Sequence, residues 1–239
     1  MKNYLFTSES VTEGHPDKLC DYISDTILDE CIKQDKDSRV AVETFASKNK
    51  ITIAGQITTK AILDIEKIVR DRIKEIGYDN EKTDIDYRTC IIDINIDRQS
   101  PDIAMGVNVG GAGDQGMMYG YACNETENLM PFAAVQASNL AKKLTEVRKL
   151  GVIPYLRPDG KTQVTVEYID GVPKRIDTIL ISNQHLEGID LNVMKQDIIE
   201  KVIKPTIKPQ YLDEHTKYFV NPTGRFVIRR TSRRYRTYR

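Results

Sequence analysis

Apolar residues recur at every fourth position after Pro16, namely at Leu19, Ile23, Ile27 and Cys31. This spacing predicts an amphipathic helix over 16–33 that buries one stripe, with Pro16 at its first position. Because the residue before a proline avoids helical backbone angles, we expect His15 to lie just outside the helix.

Apolar and polar positions alternate over 39–46, with valine and alanine on one side and Glu43 on the other. A second apolar stretch over 51–58 follows polar residues at 47–50. Two strands joined by a short polar turn are typical of a β-hairpin, and we predict one here.

Helical periodicity returns over 61–76, followed by Gly77 as a C-cap and a strand over 90–96. The helix residues expected to face inward are Ile62, Ile65, Val69, Ile73 and Ile76. The first part of the chain therefore has the order helix, hairpin, helix, strand.

The same order recurs from residue 129. The predicted elements are a helix over 129–149, strands over 162–169 and 175–182 joined by a turn at 170–171, a helix over 191–203 and a strand over 217–221. The two halves share almost no residue identity, so we interpret them as a structural pseudo-repeat. We predict an α+β fold, in which pseudo-repeated units of mostly antiparallel sheet carry helices on one face.

The segment 97–116 between the halves contains five glycines and no apolar period, which is typical of a functional loop or a linker. With 239 residues, 40% of them apolar and 29% charged, the chain is long enough for two modest domains. We predict an N-terminal domain over 1–101, a mobile gate loop or linker over 102–116 and a central domain over 117–228.

Basic and acidic residues balance at 35 each, so the net charge indicates no nucleic-acid and no membrane partner. The four cysteines are scattered among apolar neighbours without a C-x-x-C pair, which favours reduced thiols in a cytoplasmic protein. The first ten residues lack the apolar region of a signal peptide. No apolar run approaches the length of about 18 residues that a membrane span needs.

Residues 13–18, Glu-Gly-His-Pro-Asp-Lys, place Asp17 and Lys18 in the first turn of a predicted helix. Free backbone N–H groups and the positive end of the helix dipole favour an anion at this place. Phosphate, a carboxylate-bound metal and His15 could therefore meet there. The alternative is an aspartate that stabilises its own helix, with His15 as a loop residue.

Other candidate residues are ambiguous when taken singly. Glu43 is a lone carboxylate on a strand, which either faces solvent or binds a cation. Gln56, beside a glycine, has donors and acceptors where a ligand could approach closely. Residues 158–161 predict a turn in which Lys161 is either a solvated charge or a phosphate contact. The glycine-rich run 110–116 could bring backbone N–H groups to a ligand or form a flexible lid.

Eight motifs occur along the chain in a defined order: FTSESVTEGHPDK, GQITT, QSPDI, GAGDQG, MMYGYACNET, LMP, LRPDGKTQVT and NPTGRFVI. The likeness that they carry covers residues 4–228 almost without gaps, and GHPDK together with GAGDQG is specific in combination. Their order and spacing resemble those of the S-adenosylmethionine synthetase family.

The resemblance implies a methionine adenosyltransferase. Such enzymes join L-methionine to ATP by attack of the sulfur on the ribose 5′ carbon, and they cleave the expelled tripolyphosphate to phosphate and diphosphate. Because a thioether is a neutral nucleophile, catalysis depends mainly on alignment and on stabilising the charge that grows on the triphosphate. The implied cofactors are two Mg²⁺ ions and K⁺. The implied assembly is a homodimer or a dimer of dimers.

The resemblance also assigns roles to residues. His15 would be catalytic, at the leaving oxygen, while Asp17 would bind Mg²⁺ and Glu43 would bind K⁺. The implied ATP-binding residues are His15, Lys18, Asp159, Lys161, Arg225 and Phe226. The implied methionine-binding residues are Gln56, Gln99 and Asp114.

Two departures from the family pattern stand out. The family usually has glutamate where this chain has Gln56, and a carboxylate would pair more strongly with the methionine ammonium group. Weaker methionine binding is therefore expected. The loop between Gln99 and Asp114 is also a few residues shorter than in common bacterial members, so the kinetics of the gate would differ.

Residues 229–239, RRTSRRYRTYR, hold six of the 35 basic residues. The family continues here with a glycine-rich stretch, and a one-nucleotide shift of reading frame can convert such a stretch into this tail. We expect an aberrant tail, a missing third unit with its remaining ligands, and a chain that is inactive by itself. The alternatives are a basic nucleic-acid-binding arm for the tail and a non-catalytic nucleotide-binding or regulatory fragment that partners a full-length subunit.

Overall fold

The computed structural model describes residues 3–79, 85–98 and 116–227. Within these ranges the strands are β1 (Tyr4–Val11), β2 (Arg39–Ser47), β3 (Lys50–Thr58), β4 (Ile91–Asp97), β5 (Leu156–Ile169), β6 (Val172–His185) and β7 (Lys217–Val220). The helices of eight or more residues are α1 (Pro16–Gln34), α2 (Ile65–Ile76), α3 (Phe132–Lys149) and α4 (Leu191–Ile198). Gln99, Asp114, the predicted gate up to residue 115 and the tail 229–239 lie outside the described residues.

The strands of the described residues form sheets with the orders β2-β3-β4 and β1-β5-β6-β7. In each, a hairpin is antiparallel, and the strand that follows the next helix pairs in parallel with the second strand of the hairpin. A helix connects each parallel pair because parallel strands need a crossover. The predicted order of helix, hairpin, helix and strand, and the α+β class, are confirmed.

The first strand was not predicted from the sequence. β1 runs antiparallel to β5 along its whole length, from the pair Tyr4 and Tyr168 to the pair Val11 and Lys161. Most of its residues are exposed, and β1 lies at an edge of its sheet. An exposed edge strand needs no regular apolar alternation, so its sequence carries little sign of a strand.

Contacts divide the chain into two compact units, and the division falls within α1. One unit, called here the β5 unit, contains the described residues up to Lys18 and those over 122–227. The other, the β3 unit, contains Leu19–Tyr121. Each has its own core of buried aliphatic residues. The boundaries at 101 and 117 remain a prediction from sequence.

Burial follows the predicted patterns in α1 and in the first hairpin. Leu19, Ile23, Ile27 and Cys31 are fully buried, and α1 begins at Pro16, so His15 lies outside it as expected. In β2, Thr44 and Ala46 are buried whereas Glu43 is exposed. Three of the cysteines are buried as predicted for small core residues, whereas Cys123 is only partly buried.

The second helix starts later than its periodicity predicts. Asp64 is the N-cap, and its Oδ1 accepts the Lys67 backbone N–H at 3.0 Å. The expectation that Ile62 faces inward is wrong, because the chain before this cap is not helical and Ile62 is 90% exposed. Gly77 ends the helix in the left-handed conformation, as predicted, with φ of 101°.

Two other helix boundaries differ from prediction. α3 starts at Phe132 because Pro131 is its N-cap, and Leu129 has a positive φ of 59°. The helix predicted over 191–203 changes to π-helical geometry at Ile199–Ile203 and returns to a short α-helical segment at Lys204–Thr206. Since Pro205 lacks an N–H and would clash with the carbonyl four residues earlier, a wider turn accommodates it.

The strands β5 and β6 extend beyond their predicted ends, and these extensions contribute to the candidate site. The predicted turn over 158–161 is wrong, because these residues belong to β5, in which Gly160 pairs with β6 and Lys161 pairs with both β1 and β6. These pairs satisfy backbone groups of Gly160 and Lys161 that a turn would leave to solvent. A register shift between Leu156 and Gly160 allows the irregular sequence Arg-Pro-Asp-Gly to remain in the sheet.

Candidate functional site

The start of α1 brings His15 and Asp17 together. The Asp17 backbone N–H donates to Nδ1 of His15 at 3.3 Å, and Oδ2 of Asp17 lies 3.7 Å from the same nitrogen. Because Nδ1 accepts, the neutral imidazole carries its hydrogen on Nε2, which suits donation to an oxygen that gains negative charge. The side chain of His15 is 13% exposed and that of Asp17 is 49% exposed.

Backbone contacts fix this turn against the beginning of β5. The Thr12 N–H donates to the Gly160 carbonyl at 2.9 Å, and the Thr12 hydroxyl donates to the Pro158 carbonyl at 2.7 Å. Gly14 packs against Pro158 without room for a side chain. The loop that carries His15 is therefore held beside the strand segment that contains Asp159, which is buried, and Lys161.

Three cationic side chains of the β5 unit were assigned to ATP by resemblance, and each has a partner. Nζ of Lys161 lies 2.7 Å from Oε1 of Glu9. Arg225 pairs with Glu187, and Lys18 donates to the Val11 carbonyl at 2.9 Å. Both carboxylate partners are exposed, at 56% for Glu9 and 72% for Glu187. Exposed ion pairs are worth only about 0.2–1 kcal/mol, so exchange of these carboxylates for phosphate would cost little.

The end of β6 contributes residues that were not identified from sequence. Gln184 and His185 are buried, and both form hydrogen bonds to the backbone of the segment that contains Arg225 and Phe226. A polar Asn-Gln-His run at the end of β6, shortly after the apolar stretch 179–181, was the available sign in the sequence.

Two predicted residues, Glu43 and Gln56, lie in the β3 unit. Glu43 lies on the exposed side of β2, and Gln56 is partly buried on β3, paired with Ala41 and with Asp97. Gly55, beside Gln56, has φ of 146°, and a β-carbon there would lie 2.0 Å from the Ala41 carbonyl oxygen. The glycine is therefore required by the close approach of the neighbouring strand.

The carboxylates suit the implied cations only in part. Within the described ranges, no group of three or more His, Cys, Asp or Glu side chains could hold a metal ion. Mg²⁺ is commonly bound by one or two carboxylates together with substrate phosphates and water, and the half-exposed Asp17 fits that mode. Glu43 offers oxygen ligands, which suit a hard cation such as K⁺.

The arrangement in the β5 unit is suited to binding a polyanion. It combines a helix N-terminus, a histidine positioned by the first helical turn, and Lys161 and Arg225 on weakly held partners. These groups supply donors and positive charge for phosphate oxygens. None of the helices in the described part of the chain is both long and apolar enough to cross a bilayer.

Comparison with known proteins gives a consistent result. The model of the S-adenosylmethionine synthetase N-terminal domain matches residues 3–101, and the model of the central domain of the same family matches residues 109–226. Proteins named S-adenosylmethionine synthase from Syntrophobacter fumaroxidans and Desulfosudis oleivorans are 53% and 54% identical, over 95% of this chain and 60% of their own lengths. The protein of that name from Brachyspira hyodysenteriae is 53% identical over 95% of this chain and 61% of its length.

The chain thus spans about 60% of the length of these relatives. Nearly all of its residues fall within the two family models, and the β5 unit holds the first helix turn and the segment around Lys161 in one site. The chain belongs to the S-adenosylmethionine synthetase family.

Proposed function

We propose that this chain carries the nucleotide-binding part of a methionine adenosyltransferase. The reaction is ATP, L-methionine and water to S-adenosylmethionine, phosphate and diphosphate. The observation that carries the proposal is the placement of His15 and Asp17 at a helix N-terminus that is hydrogen-bonded to the β5 segment bearing Lys161. Names of relatives that are 53–54% identical support the same activity.

In this proposal each residue acts on the triphosphate. Lys161 and Arg225 exchange Glu9 and Glu187 for phosphate oxygens, which orients the leaving group. His15 donates from Nε2 to the oxygen that leaves the 5′ carbon, where negative charge develops. Asp17 would hold Mg²⁺, which when bound neutralises charge on the phosphates.

Methionine binding is assigned to Gln56, with Gln99 and Asp114 as further candidates outside the described residues. Glu43 would hold K⁺ in the β3 unit. The assembly proposed from the family is a homodimer or a dimer of dimers, and the proposed location is the cytoplasm. No nucleic-acid or membrane partner is proposed, because basic and acidic residues balance at 35 each.

Calorimetric titration of ATP with Mg²⁺ into the 239-residue chain tests the proposal. Lys161→Ala should weaken binding at least tenfold, since a hydrogen bond to a charged group contributes about 1.5–3 kcal/mol. Lys204→Ala is the matched control, because Lys204 forms a similar exposed pair with Glu200 at 2.6 Å in the same unit. Equal ATP affinity of Lys161→Ala and wild type would contradict the proposal.

An assay for S-adenosylmethionine separates the enzyme from the alternative of a regulatory fragment. Product formation by the chain supports a catalyst. ATP binding without product, together with a changed rate of a full-length relative on mixing, supports a regulatory role.

A further inference from the structure

Three consecutive residues at the end of β6 are polar and almost completely buried. Asn183, Gln184 and His185 are 2%, 1% and 3% exposed. Burial of polar groups is costly unless they form hydrogen bonds, so their partners indicate what the burial achieves. The side chains of Gln184 and His185 and the backbone of Asn183 have partners in the segment 221–227, which contains the proposed nucleotide residues Arg225 and Phe226. The Asn183 side chain instead donates to the carbonyls of Arg157 and Gln184.

His185 binds both backbone groups of Phe226. The backbone N–H of His185 donates to the Phe226 carbonyl at 2.9 Å, and the ring nitrogen Nε2 accepts the Phe226 backbone N–H at 3.2 Å. The ring thus replaces the carbonyl that a neighbouring strand would supply. Because both bonds involve one residue, the backbone at Phe226 has a defined position relative to the end of β6.

The partners of the His185 ring also define its tautomer. Nδ1 lies 2.7 Å from the Leu186 carbonyl oxygen, which can only accept, so Nδ1 carries the hydrogen. Nε2 faces an N–H group and must therefore be the unprotonated nitrogen. The arrangement needs a neutral imidazole, since an imidazolium would place two N–H groups against each other.

Gln184 and Asn183 bind residues that precede and follow Phe226 in the chain, namely Asn221 and Val227. Nε2 of Gln184 donates to the Val227 carbonyl at 3.0 Å, and within the described residues Oε1 of this buried amide has no partner. The Asn183 backbone donates to Oδ1 of Asn221 at 2.8 Å, and Nδ2 of Asn221 donates back to the Asn183 carbonyl at 3.0 Å. Arg225 therefore lies between two anchored points, Asn221 and Phe226.

We propose that Gln184 and His185 are positioning residues that hold the Arg225–Phe226 segment in the conformation that binds the nucleotide. This inference rests on the proposed function. Both residues act through the backbone, and neither needs to touch the ligand. A segment ordered before binding avoids the conformational cost of ordering a loop around the triphosphate.

Substitutions that mimic one ring nitrogen at a time provide the test. His185→Gln places an amide oxygen near the position of Nε2 and keeps an acceptor for the Phe226 N–H. His185→Asn keeps only a donor near the position of Nδ1. Tyr168→Phe is the matched control, because it removes one partly buried hydrogen bond, to Glu125 at 2.7 Å, in the same unit.

Two measurements are made on each full-length variant: hydrogen exchange of the Phe226 amide by NMR and ATP affinity by calorimetry. His185→Asn should speed exchange about fivefold to tenfold and weaken ATP binding by a similar factor, the effect of one hydrogen bond. His185→Gln should recover most of both losses. Tyr168→Phe should leave both unchanged even though it lowers the stability of the fold. NMR spectra of the protein with nitrogen-labelled histidine should show that Nδ1 of His185 carries the hydrogen.

Several results would overturn the positioning role. Unchanged Phe226 exchange in His185→Asn would do so, as would equal losses in His185→Asn and Tyr168→Phe, which indicate a purely structural effect. If wild type and His185→Asn bind ATP with equal affinity, the positioning role is contradicted but the proposed function is not. Failure of the wild-type chain to bind ATP would remove the proposed function, and the positioning role with it.

Discussion

A β-carbon on Gly14 would lie 2.3 Å from Cβ of Pro158 and 2.6 Å from the Pro158 carbonyl carbon and oxygen. Backbone atoms cannot move aside as the end of a flexible side chain can. The loop that carries His15 therefore approaches β5 as closely as a residue without a side chain permits. This contact, together with the hydrogen bonds of Thr12 to Pro158 and Gly160, places the start of α1 beside Lys161.

Gly14→Ala should lower the free energy of unfolding by about 1–3 kcal/mol, the usual cost of forcing an extra carbon into a packed site. It should also weaken ATP binding, because the turn at His15 must move away from β5. Urea unfolding and calorimetric titration measure the two effects. Gly120→Ala is the control, since nothing lies within 4 Å of a β-carbon at that position. Similar stabilities of the two variants would contradict the steric explanation.

Gln56→Glu should tighten the binding of L-methionine about threefold to tenfold, if Gln56 contacts the ammonium group as proposed. A carboxylate forms a charge-assisted hydrogen bond there, and the amide forms a neutral one. Michaelis constants for methionine, or dissociation constants from titration, give the comparison. Gln163→Glu, on β5 outside the proposed methionine site, controls for the added charge. Equal Michaelis or dissociation constants for wild type and Gln56→Glu would contradict the proposed contact between residue 56 and the ammonium group.

Asp86 should make the stability of the β3 unit dependent on pH. Its side chain is 3% exposed, and the hydrogen bond from Arg88 is the main reason why its pKa lies below the ordinary value of 3.8. A lowered pKa stabilises the fold fully above the pKa of the unfolded chain, and this stability is lost as the pH falls through the folded-state value.

Asp86→Asn should therefore cost about 1–3 kcal/mol at neutral pH, and the difference from wild type should shrink as the pH falls below 3.8. Urea unfolding over a range of pH checks this. The difference between the pH profiles of unfolding free energy for wild type and Asp86→Asn cancels the contribution of the other carboxylates. A difference that stays constant down to strongly acidic pH would contradict the assigned ion pair.

Thiol labelling should distinguish Cys123 from the other cysteines. Burial raises the pKa of the Cys31 and Cys90 thiols, and Cys20 is only 6% exposed, whereas Cys123 is partly exposed. Because the thiolate is the reactive form, mass spectrometry of the native protein should show one early adduct, at Cys123, and four after unfolding. Cys123→Ser should abolish the early adduct. Early modification of Cys31 would instead indicate that the core opens readily.

Sequence patterns alone predicted the order of most elements, because helix and strand periodicities of buried residues are local properties. The stripe at Leu19, Ile23, Ile27 and Cys31 and the alternation around Glu43 predict the same faces that the structure buries and exposes. Boundaries were less certain, since a single cap such as Asp64 overrides a periodic stretch and leaves Ile62 outside the helix.

Residue types and motifs identified the family and most candidate residues of the site, but only the tertiary structure decided their arrangement. Gly160 and Lys161 lie in a strand because β6 pairs with both and because Val11 of β1 pairs with Lys161 from about 150 residues away in the chain, and no local pattern encodes the contact with β1. The role of His185 depends on hydrogen bonds to a segment 41 residues away. Periodicity and motifs are local along the chain, whereas sheet pairing and buried hydrogen bonds require distant residues to meet.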